Sequence, residues 1–359
     1  MLLTPSRQKI LLLERCVERE LPLSSRERSP SPHSSPVKGE DVTNLELRRY
    51  LKVFGLIFLL ALLSFTPAPA ENIKIGIPSL TVTMLPLAVA KDLGFFQREG
   101  LSVEMVLMPA AMNIKVLLSG DIQYATTLGS AVVAAIRGIN TRVVMCFVDR
   151  PLLDLVGVSD ISSIAELKGK LIGISSRGGL HDVAIRRMLA QSGVDPAQAT
   201  LLTIGGQGAM LAALQSKRIA AGLLNPPHNF LAYREGLKNL GFAGAFIHLP
   251  STGLATTGET LERSAEQTRR MIRALTRARA FARENKPTVV AILKRFLQLP
   301  DEDLVAKIVD YHRKAETADG RIDNTLALET IRDTRQAEGI AREISVSQVF
   351  DFSYLDSAR

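Results

Sequence analysis

The chain has 359 residues, 46% of them hydrophobic, and a formal net charge of +8 at pH 7. Part of the basic excess lies in the first 70 residues, and the mildly basic remainder does not indicate a nucleic-acid-binding protein. Aromatic residues make up 5% and tryptophan is absent, which argues against an aromatic-walled site for a sugar or a quaternary amine. The length fits two compact domains.

The N-terminus predicts export. Residues 1–47 are rich in Ser, Pro and Arg, which is typical of an unfolded extension or of a mis-assigned start codon. The basic segment Arg48–Lys52 then precedes the apolar run Val53–Phe65, and Ala68 and Ala70 follow in A-x-A register. These features predict a signal peptide ending with cleavage after Ala70 and a periplasmic mature protein, with an uncleaved anchor as the alternative.

The rest of the chain alternates strand-like and helical patterns, which indicates α/β architecture with mostly parallel sheets. The first set of predicted strands is Ile73–Ile77, Ser102–Met108, Ile122–Thr126 and Arg142–Val148, with helices at Leu85–Leu93, Met112–Ser119 and Ser130–Arg137. A second set opens with a strand at Lys170–Ser175 and closes with one at Phe242–Leu249. The last third predicts helices at Leu261–Asn285, Val289–Leu297, Glu302–His312 and Thr325–Glu338.

An internal repeat organises these elements. IGIPS at Ile75–Ser79 and IGISS at Ile172–Ser176 are separated by 97 residues, and Ile122 matches Ile219 at the same offset. The repeat is too long for a solenoid, so it predicts two α/β lobes of like topology.

The stretch GISSRGGLHD, Gly173–Asp182, lies at a predicted strand-to-helix turn. A phosphate-binding P-loop needs Lys after its last glycine, and a nucleophile elbow needs glycines two residues to either side of the serine. The stretch meets neither requirement. It is therefore a helix-capping turn or part of a ligand-binding rim.

Four segments resemble the SsuA/THI5-like (NMT1-type) substrate-binding proteins of ABC importers: GIPSLTVTMLPLAVAKDLGFFQREGLSVE, LLSGDIQYATTLGSAVVAAIRG, LKGKLIGISSRGG and AAGLLNPPHNFLA. The resemblance implies a type-II periplasmic binding protein, with two doubly wound α/β lobes joined by a two-crossover hinge and a solute in the cleft between them. It places a discontinuous lobe one at 71–157 and 250–359, lobe two at 158–249, and the crossovers near Val156–Ser159 and Leu249–Leu254.

Ligands of open α/β sheets bind at the carboxyl ends of strands and at helix N-termini, so the polar residues there are the candidate binding residues. Other interpretations stay open for some of them: Thr81 and Thr83 lie in a solvated loop, Ser130 and Asn225 cap helices, Arg150 pairs with Asp149, and His228 is a polar residue whose hydrogen bonds are satisfied within the protein. The candidates are Ser79, Thr81, Thr83, Thr126, Thr127, Ser130, Arg150, Ser175, Ser176, Arg177, Asn225 and His228.

Helix N-termini together with Arg150 and Arg177 favour a negative ligand, so a small organic anion such as a sulfonate or carboxylate is expected. The single cysteine after the signal peptide, Cys146, and the spacing of His181, His248 and His312 indicate neither a disulfide nor a metal site. We expect no cofactor, a monomer and an ABC permease as the partner.

Two other functions remain open. One is thiamin-pyrimidine precursor binding or synthesis, although the cysteine-rich motif CCCFC of THI5-like enzymes is missing from this sequence. The other is a ligand-sensing lobe that reports to a membrane receptor. No enzymatic activity is expected.

Overall fold

The computed structural model describes residues 70–175, 177 and 179–356. Three predicted features lie outside the described residues. They are the N-terminal extension, the signal peptide except for its last residue Ala70, and Ser176 of the ligand-binding rim. Within the described part of the chain, no helix combines the length and apolarity needed to cross a membrane.

Two five-stranded mixed sheets form the framework. The strands are β1 Glu71–Ile77, β2 Leu101–Leu107, β3 Tyr124–Thr127, β4 Thr141–Val148, β5 Asp154–Gly157, β6 Leu171–Ile174, β7 Thr200–Thr203, β8 Ala221–Leu224, β9 Lys238–Phe242 and β10 Thr252–Thr257. The first sheet has the order β2-β1-β3-β10-β4, and the second has the order β7-β6-β8-β5-β9. In the first, β1 is parallel to β2 and β3, whereas β10 is antiparallel to β3 and β4.

Helices cover both faces of each sheet. The predicted helix Leu261–Asn285 is divided at Ser264, whose backbone is not helical (φ −130°, ψ 39°). The helices are α1 Leu85–Asp92, α2 Phe95–Arg98, α3 Ala110–Ser119, α4 Leu128–Ile136, α5 Leu180–Gln191, α6 Gln207–Gln215, α7 His228–Arg234, α8 Gly258–Arg263, α9 Ala265–Glu284, α10 Lys286–Phe296, α11 Glu302–His312, α12 Asn324–Glu338 and α13 Ser353–Asp356. Short 3₁₀ turns occur at Val82–Met84, Ile164–Leu167, Pro196–Gln198, Ala243–Ala245 and Val346–Gln348.

The apolar side chains form three clusters. Two of them pack on the faces of the first sheet, one beneath α1, α9, α10 and α11 and the other beneath α3, α4 and α12. The third encloses the second sheet with α5 and α6. Cys146 is buried in β4, as its apolar neighbours predict. Each sheet therefore has its own core, which defines lobe one around the first sheet and lobe two around the second.

The chain crosses between the lobes twice. The first crossover is 149–153, because β4 ends in the first sheet and β5 already pairs with β8 and β9 of the second. The structure thus corrects the crossover predicted at Val156–Ser159, since Val156 lies within the second sheet. The predicted strand Phe242–Leu249 is also corrected, because β9 ends at Phe242 and a 3₁₀ turn follows.

The second crossover, 246–251, returns the chain to β10 in the first sheet. The two crossovers lie side by side, since the backbone N–H of Leu249 donates to the carbonyl of Asp149 at 2.8 Å. The strand that follows each crossover runs antiparallel to its neighbours, so the sheets are mixed and not mostly parallel as the alternation of elements predicted.

The predicted repeat is visible in the pairing of the strands. In β1 and β3, Ile75–Gly76 pairs with Tyr124–Ala125, and in β6 and β8, Ile172–Gly173 pairs with Ala221–Gly222. All four segments match at the offset of 97 residues. The two lobes therefore share one topology and one central register, as the sequence predicted.

Candidate functional site

A cleft of about 290 Å³ lies between the lobes. Lobe one supplies the segment Pro78–Met84 after β1 and the start of β10, and lobe two supplies the first turns of α5 and α6 and the segment after β8. The first crossover forms part of its floor through Pro151, Leu152 and Leu153. The cleft thus lies where strand ends and helix N-termini of both lobes meet, the usual position of ligands in open α/β folds.

Two other cavities are larger than this cleft. One, of about 420 Å³, lies within lobe one and is lined by α3 and the Glu259–Arg263 ion pair of α8. The other, of about 440 Å³, is a groove where α12 of lobe one faces α5 and the second crossover. Neither is formed at the carboxyl ends of the parallel strands, so the smaller interlobe cleft is the better candidate site.

On lobe one, the cleft is bordered by hydroxyl groups. Thr81 and Thr83 are half-buried, and their Oγ1 atoms are 2.9 Å apart, which makes them a hydrogen-bonded pair. Ser79 is exposed at the edge of the same segment. The 3₁₀ turn Val82–Met84, which contains Thr83, buries Val82 and Met84 in the core, and Thr81 and Thr83 line the cleft. The structure therefore brings together the three candidates predicted after β1.

The candidates predicted after β3 are placed differently. Thr126 is buried, and its hydroxyl donates to the carbonyl of Gly76 at 3.1 Å, so it ties β3 to β1 and does not line the cleft. Thr127 is opposite Thr252, which lines the cleft, and its buried Oγ1 has no hydrogen-bond partner among the described residues. Ser130 is half-buried in the first turn of α4 and is not part of the lining.

The structure does not bring Arg177 to the cleft. The residue is exposed, and its guanidinium donates to the carbonyl of Leu201 on the edge strand β7 at 3.3 Å. Ser175 is half-buried but is not part of the lining. The guanidinium that was predicted to bind an anion at this rim therefore does not line the cleft in the structure.

Arg150 is also not part of the lining. Its Nε donates to Oδ1 of Asp149 at 2.9 Å, the pairing named above as the alternative for this residue. Both side chains are about one-quarter exposed at the first crossover. The positive charge of Arg150 is thus largely balanced before any ligand approaches.

Asn225 lines the cleft at the carboxyl end of β8. Its backbone N–H donates to Oε1 of Gln207 at 2.9 Å, and its buried Oδ1 has no partner in the described structure. The interpretation of Asn225 as a helix cap is wrong, because α7 begins at His228 and its N-cap position is Pro227. His228 is half-buried outside the lining, and burial lowers its pKa.

Four lining residues were missed by the sequence analysis. His181 was considered above only for a metal site, and its position two residues after a Gly-Gly pair is the signal that places it in the first turn of a helix. Gln207 follows another Gly-Gly pair in the same way. Ser251 and Thr252 have no local signal, because the return of the chain through the second crossover brings them to the cleft.

The described lining contains no Asp, Glu, Lys or Arg side chain. The N-cap positions of α5 and α6 are Gly179 and Gly206, which have no side chain to cap the first N–H groups, and Asp182 lies in the first turn of α5. The N–H groups at a helix N-terminus carry partial positive charge. Among the residues that the structure describes, no group of His, Cys, Asp and Glu is arranged to hold a metal ion.

Below the cleft floor, Asp154 joins the two lobes. Its buried carboxylate accepts hydrogen bonds from Asn229 Nδ2 at 2.9 Å and from the Tyr233 hydroxyl at 2.6 Å, both on α7. The Tyr311 hydroxyl of lobe one donates to the same carboxylate at 2.7 Å. Burial, followed by the negative charge of Asp154, raises the pKa of both tyrosines, so both remain donors at neutral pH.

Comparison with known proteins identifies the family. The NMT1/THI5-like family model matches residues 81–288, more than half of the chain. The chain belongs to the NMT1/THI5-like family. This confirms the resemblance found in the sequence, although the matched segment begins a few residues later than the resemblance does.

A curated relative and solved structures extend this result. The riboflavin-binding protein RibY of Chloroflexus aurantiacus is 24% identical over 315 residues, covering 79% of this chain and 88% of RibY. The periplasmic aliphatic sulphonate binding protein SsuA of Escherichia coli has a TM-score of 0.64 at 16% identity, with 77% of this chain and 96% of SsuA covered. The desulfurization enzyme DSZB has a TM-score of 0.62 at 15% identity, with coverages of 80% and 98%. These likenesses confirm the two-lobed α/β fold.

Proposed function

We propose that this protein is an extracytoplasmic solute-binding protein that captures a small organic anion between its lobes and delivers it to an ABC importer in the inner membrane. The observation that carries the proposal is the interlobe cleft, which is lined from both lobes by hydroxyl, amide and imidazole groups. A hinge of two crossovers allows such a pair of lobes to close on one solute. Family membership and the names of two relatives, riboflavin-binding protein RibY and sulphonate-binding protein SsuA, support solute binding.

The anion is held by neutral donors in this proposal. The N-terminal N–H groups of α5 and α6 supply partial positive charge, and the hydrogen-bonded pair of Thr81 and Thr83 supplies one hydroxyl donor from the opposite lobe. No carboxylate lines the described cleft to repel a negative group. A carboxylate or sulfonate head group suits this arrangement, and SsuA of Escherichia coli is named for binding aliphatic sulphonates.

The rest of the lining is apolar. Val82, Met84, Leu152, Leu153 and Leu180 contribute aliphatic surface next to the polar groups. A ligand with a negative head and a short aliphatic body therefore matches both halves of the cleft.

Riboflavin is the second candidate because RibY carries that name. The described lining contains no Phe, Tyr or Trp on which an isoalloxazine ring would stack, and this favours the aliphatic anion. An enzymatic role like that of DSZB has less support, because the described part of the lining has one titratable side chain, His181, and no second group for acid–base chemistry.

A thermal-shift screen tests the proposal. The purified protein is heated with butanesulfonate, taurine, hexanoate, riboflavin and a diamine control. A ligand present at 100 times its dissociation constant adds about 2.7 kcal/mol to the free energy of unfolding. We expect one of the anions to raise the melting temperature. Stabilisation by riboflavin or the diamine alone would overturn the proposed ligand class.

Two variants of α6 locate the site. Gln207→Ala removes the amide that lines the cleft, whereas Gln215→Ala removes an exposed amide on the same helix that bonds Glu235. We expect Gln207→Ala to weaken binding by about tenfold, the equivalent of one hydrogen bond, and Gln215→Ala to leave it unchanged. Arg177→Ala should change affinity by less than about twofold. A tenfold loss of affinity would show that Arg177 contacts the ligand after all.

A further inference from the structure

We infer that His181 contacts the negative group of the bound solute and takes up a proton as that solute binds. The inference rests on the proposed function and names the side chain that makes affinity depend on pH.

His181 has the geometry of a ligand contact. It is the second residue of α5, it lines the interlobe cleft, and it is 7% exposed. Its buried Nδ1 has no hydrogen-bond partner among the described residues. A buried imidazole nitrogen without a partner is costly, and a cleft occupant is able to satisfy the ring. Asn225 also lines the cleft, and its buried Oδ1 has no partner among the described residues; this acceptor needs a donor from the ligand and does not itself bind the anionic group.

The surrounding charges are already engaged. Asp182, the neighbour of His181 on α5, pairs with Arg186 at 2.5 Å. Two of the turns that pack against α5 have a carboxylate. In Ile164–Leu167, Glu166 accepts a hydrogen bond from the Ser163 hydroxyl, and at the start of Pro196–Gln198, Asp195 Oδ1 accepts from the backbone N–H of Ala197. The turn Ala243–Ala245 has no titratable side chain. The cleft lining adds no other titratable group in the described residues, so no protein carboxylate stands ready to pair with a His181 cation.

The sign of the effect follows from this environment. Burial lowers the pKa of His181 below its usual 6.5, so the free protein holds a neutral imidazole at pH 7. A ligand anion within hydrogen-bond distance favours the imidazolium and raises that pKa. Binding therefore takes up a proton at pH values between the two pKa values, and affinity rises as the pH is lowered through that window.

Isothermal titration with butanesulfonate at pH 5 to 8, in two buffers of different ionisation enthalpy, measures the affinity and the number of protons taken up on binding. We expect the wild-type affinity to rise by up to about tenfold per pH unit on acidification, with uptake of as much as one proton. In His181→Gln, affinity at pH 5.5 should fall by about tenfold or more and lose its pH dependence. His248→Gln, which replaces an exposed histidine outside the cleft, should keep the wild-type slope.

The outcomes separate this inference from the proposed function. Wild-type binding with the same pH slope in His181→Gln would overturn the role of His181 and leave the anion site standing. Failure of butanesulfonate and of every other anion in the screen to bind the wild-type protein would overturn the proposed ligand class and this inference together. Circular dichroism of each variant confirms that it is folded.

Discussion

The two lobes share one topology, but the side chains that pack against their matching strand glycines differ. Gly76 of β1 and Gly173 of β6 occupy matching positions, 97 residues apart. A Cβ on Gly76 would lie 2.2 Å from Oδ1 of Asn113, and a Cβ on Gly173 would lie 2.4 Å from Sδ of Met210. Asn113 and Met210 are again 97 residues apart. The same crowded contact between strand and helix is thus built twice, once around an amide and once around a thioether.

This difference shows which part of the repeat is required. The close approach of helix to strand is kept in both lobes, and glycine provides the space for it. The side chain that fills the space is free to vary. In lobe one, Asn113 Nδ2 lies 3.3 Å from the carbonyl of Met108 and 3.4 Å from that of Pro109, so it also holds the segment before α3. The Met210 side chain has no N–H group to donate such bonds, and it is flexible.

The first prediction exploits this contrast. Gly76→Ala should lower the free energy of unfolding by about 3 kcal/mol, because it overpacks the strand and displaces the bonded amide of Asn113. Gly173→Ala should cost about 1 kcal/mol, because the Met210 side chain is able to move aside. Urea denaturation of both variants gives the comparison. Equal losses would show that the two contacts are equally rigid.

The second prediction concerns the bond that joins the lobes. Tyr311→Phe and Tyr233→Phe each remove one donor from the buried Asp154 carboxylate, and each should cost about 2 kcal/mol. Only Tyr311→Phe cuts a contact between lobes, so only this variant should let the lobes unfold at separate temperatures in calorimetry. A second transition in Tyr233→Phe, or in neither variant, would contradict the linking role of Tyr311.

The third prediction is a smaller, pH-dependent loss in lobe one. His312 is buried in α11, and no described residue is a hydrogen-bond partner of its Nε2. Burial, with Arg279 and Arg313 nearby, lowers the pKa of His312 to about 3. Because its pKa when unfolded is about 6.5, the unfolded chain binds the proton first, and stability is lost as pH falls from 6.5 toward 3. At pH 5.5 the loss is about 1.4 kcal/mol relative to neutral pH.

His312→Gln tests this assignment. The variant should show a shallower decline of unfolding free energy between pH 7 and pH 5 than the wild-type protein, measured by urea denaturation at each pH. An identical pH profile in the two proteins would assign the decline to other groups. His248→Gln serves as the control, because that histidine is exposed.

Local patterns predicted much of the fold. The helix Glu302–His312 has the predicted bounds because its apolar face repeats with helical period and Asp301 caps its first turn. The repeat predicted the common topology of the lobes because matching residues, such as Ile122 and Ile219, fill the matching glycine sites. These features depend on residues close in sequence or on one constant offset.

The crossovers and the site could not be predicted in the same way. Asp154–Gly157 is a strand of four residues, and nothing within it indicates which sheet it joins. Arg177 was placed at the cleft by its position after β6, but its side chain lies along the edge of β7. Thr252 lines the cleft because β10 returns from the other lobe. Each of these outcomes depends on contacts between residues far apart in the chain.

The position of β10 has a consequence for the order of folding. All five strands of lobe two are consecutive in the chain, whereas β10 must lie between β3 and β4 after about a hundred intervening residues. Closing so long a flexible loop lowers the rate at which the first sheet is completed. A folded lobe two shortens that loop, because it holds Asp149 and Leu249 side by side. We therefore expect lobe two to fold first and lobe one, although its strand β1 precedes lobe two in the sequence, to be completed last.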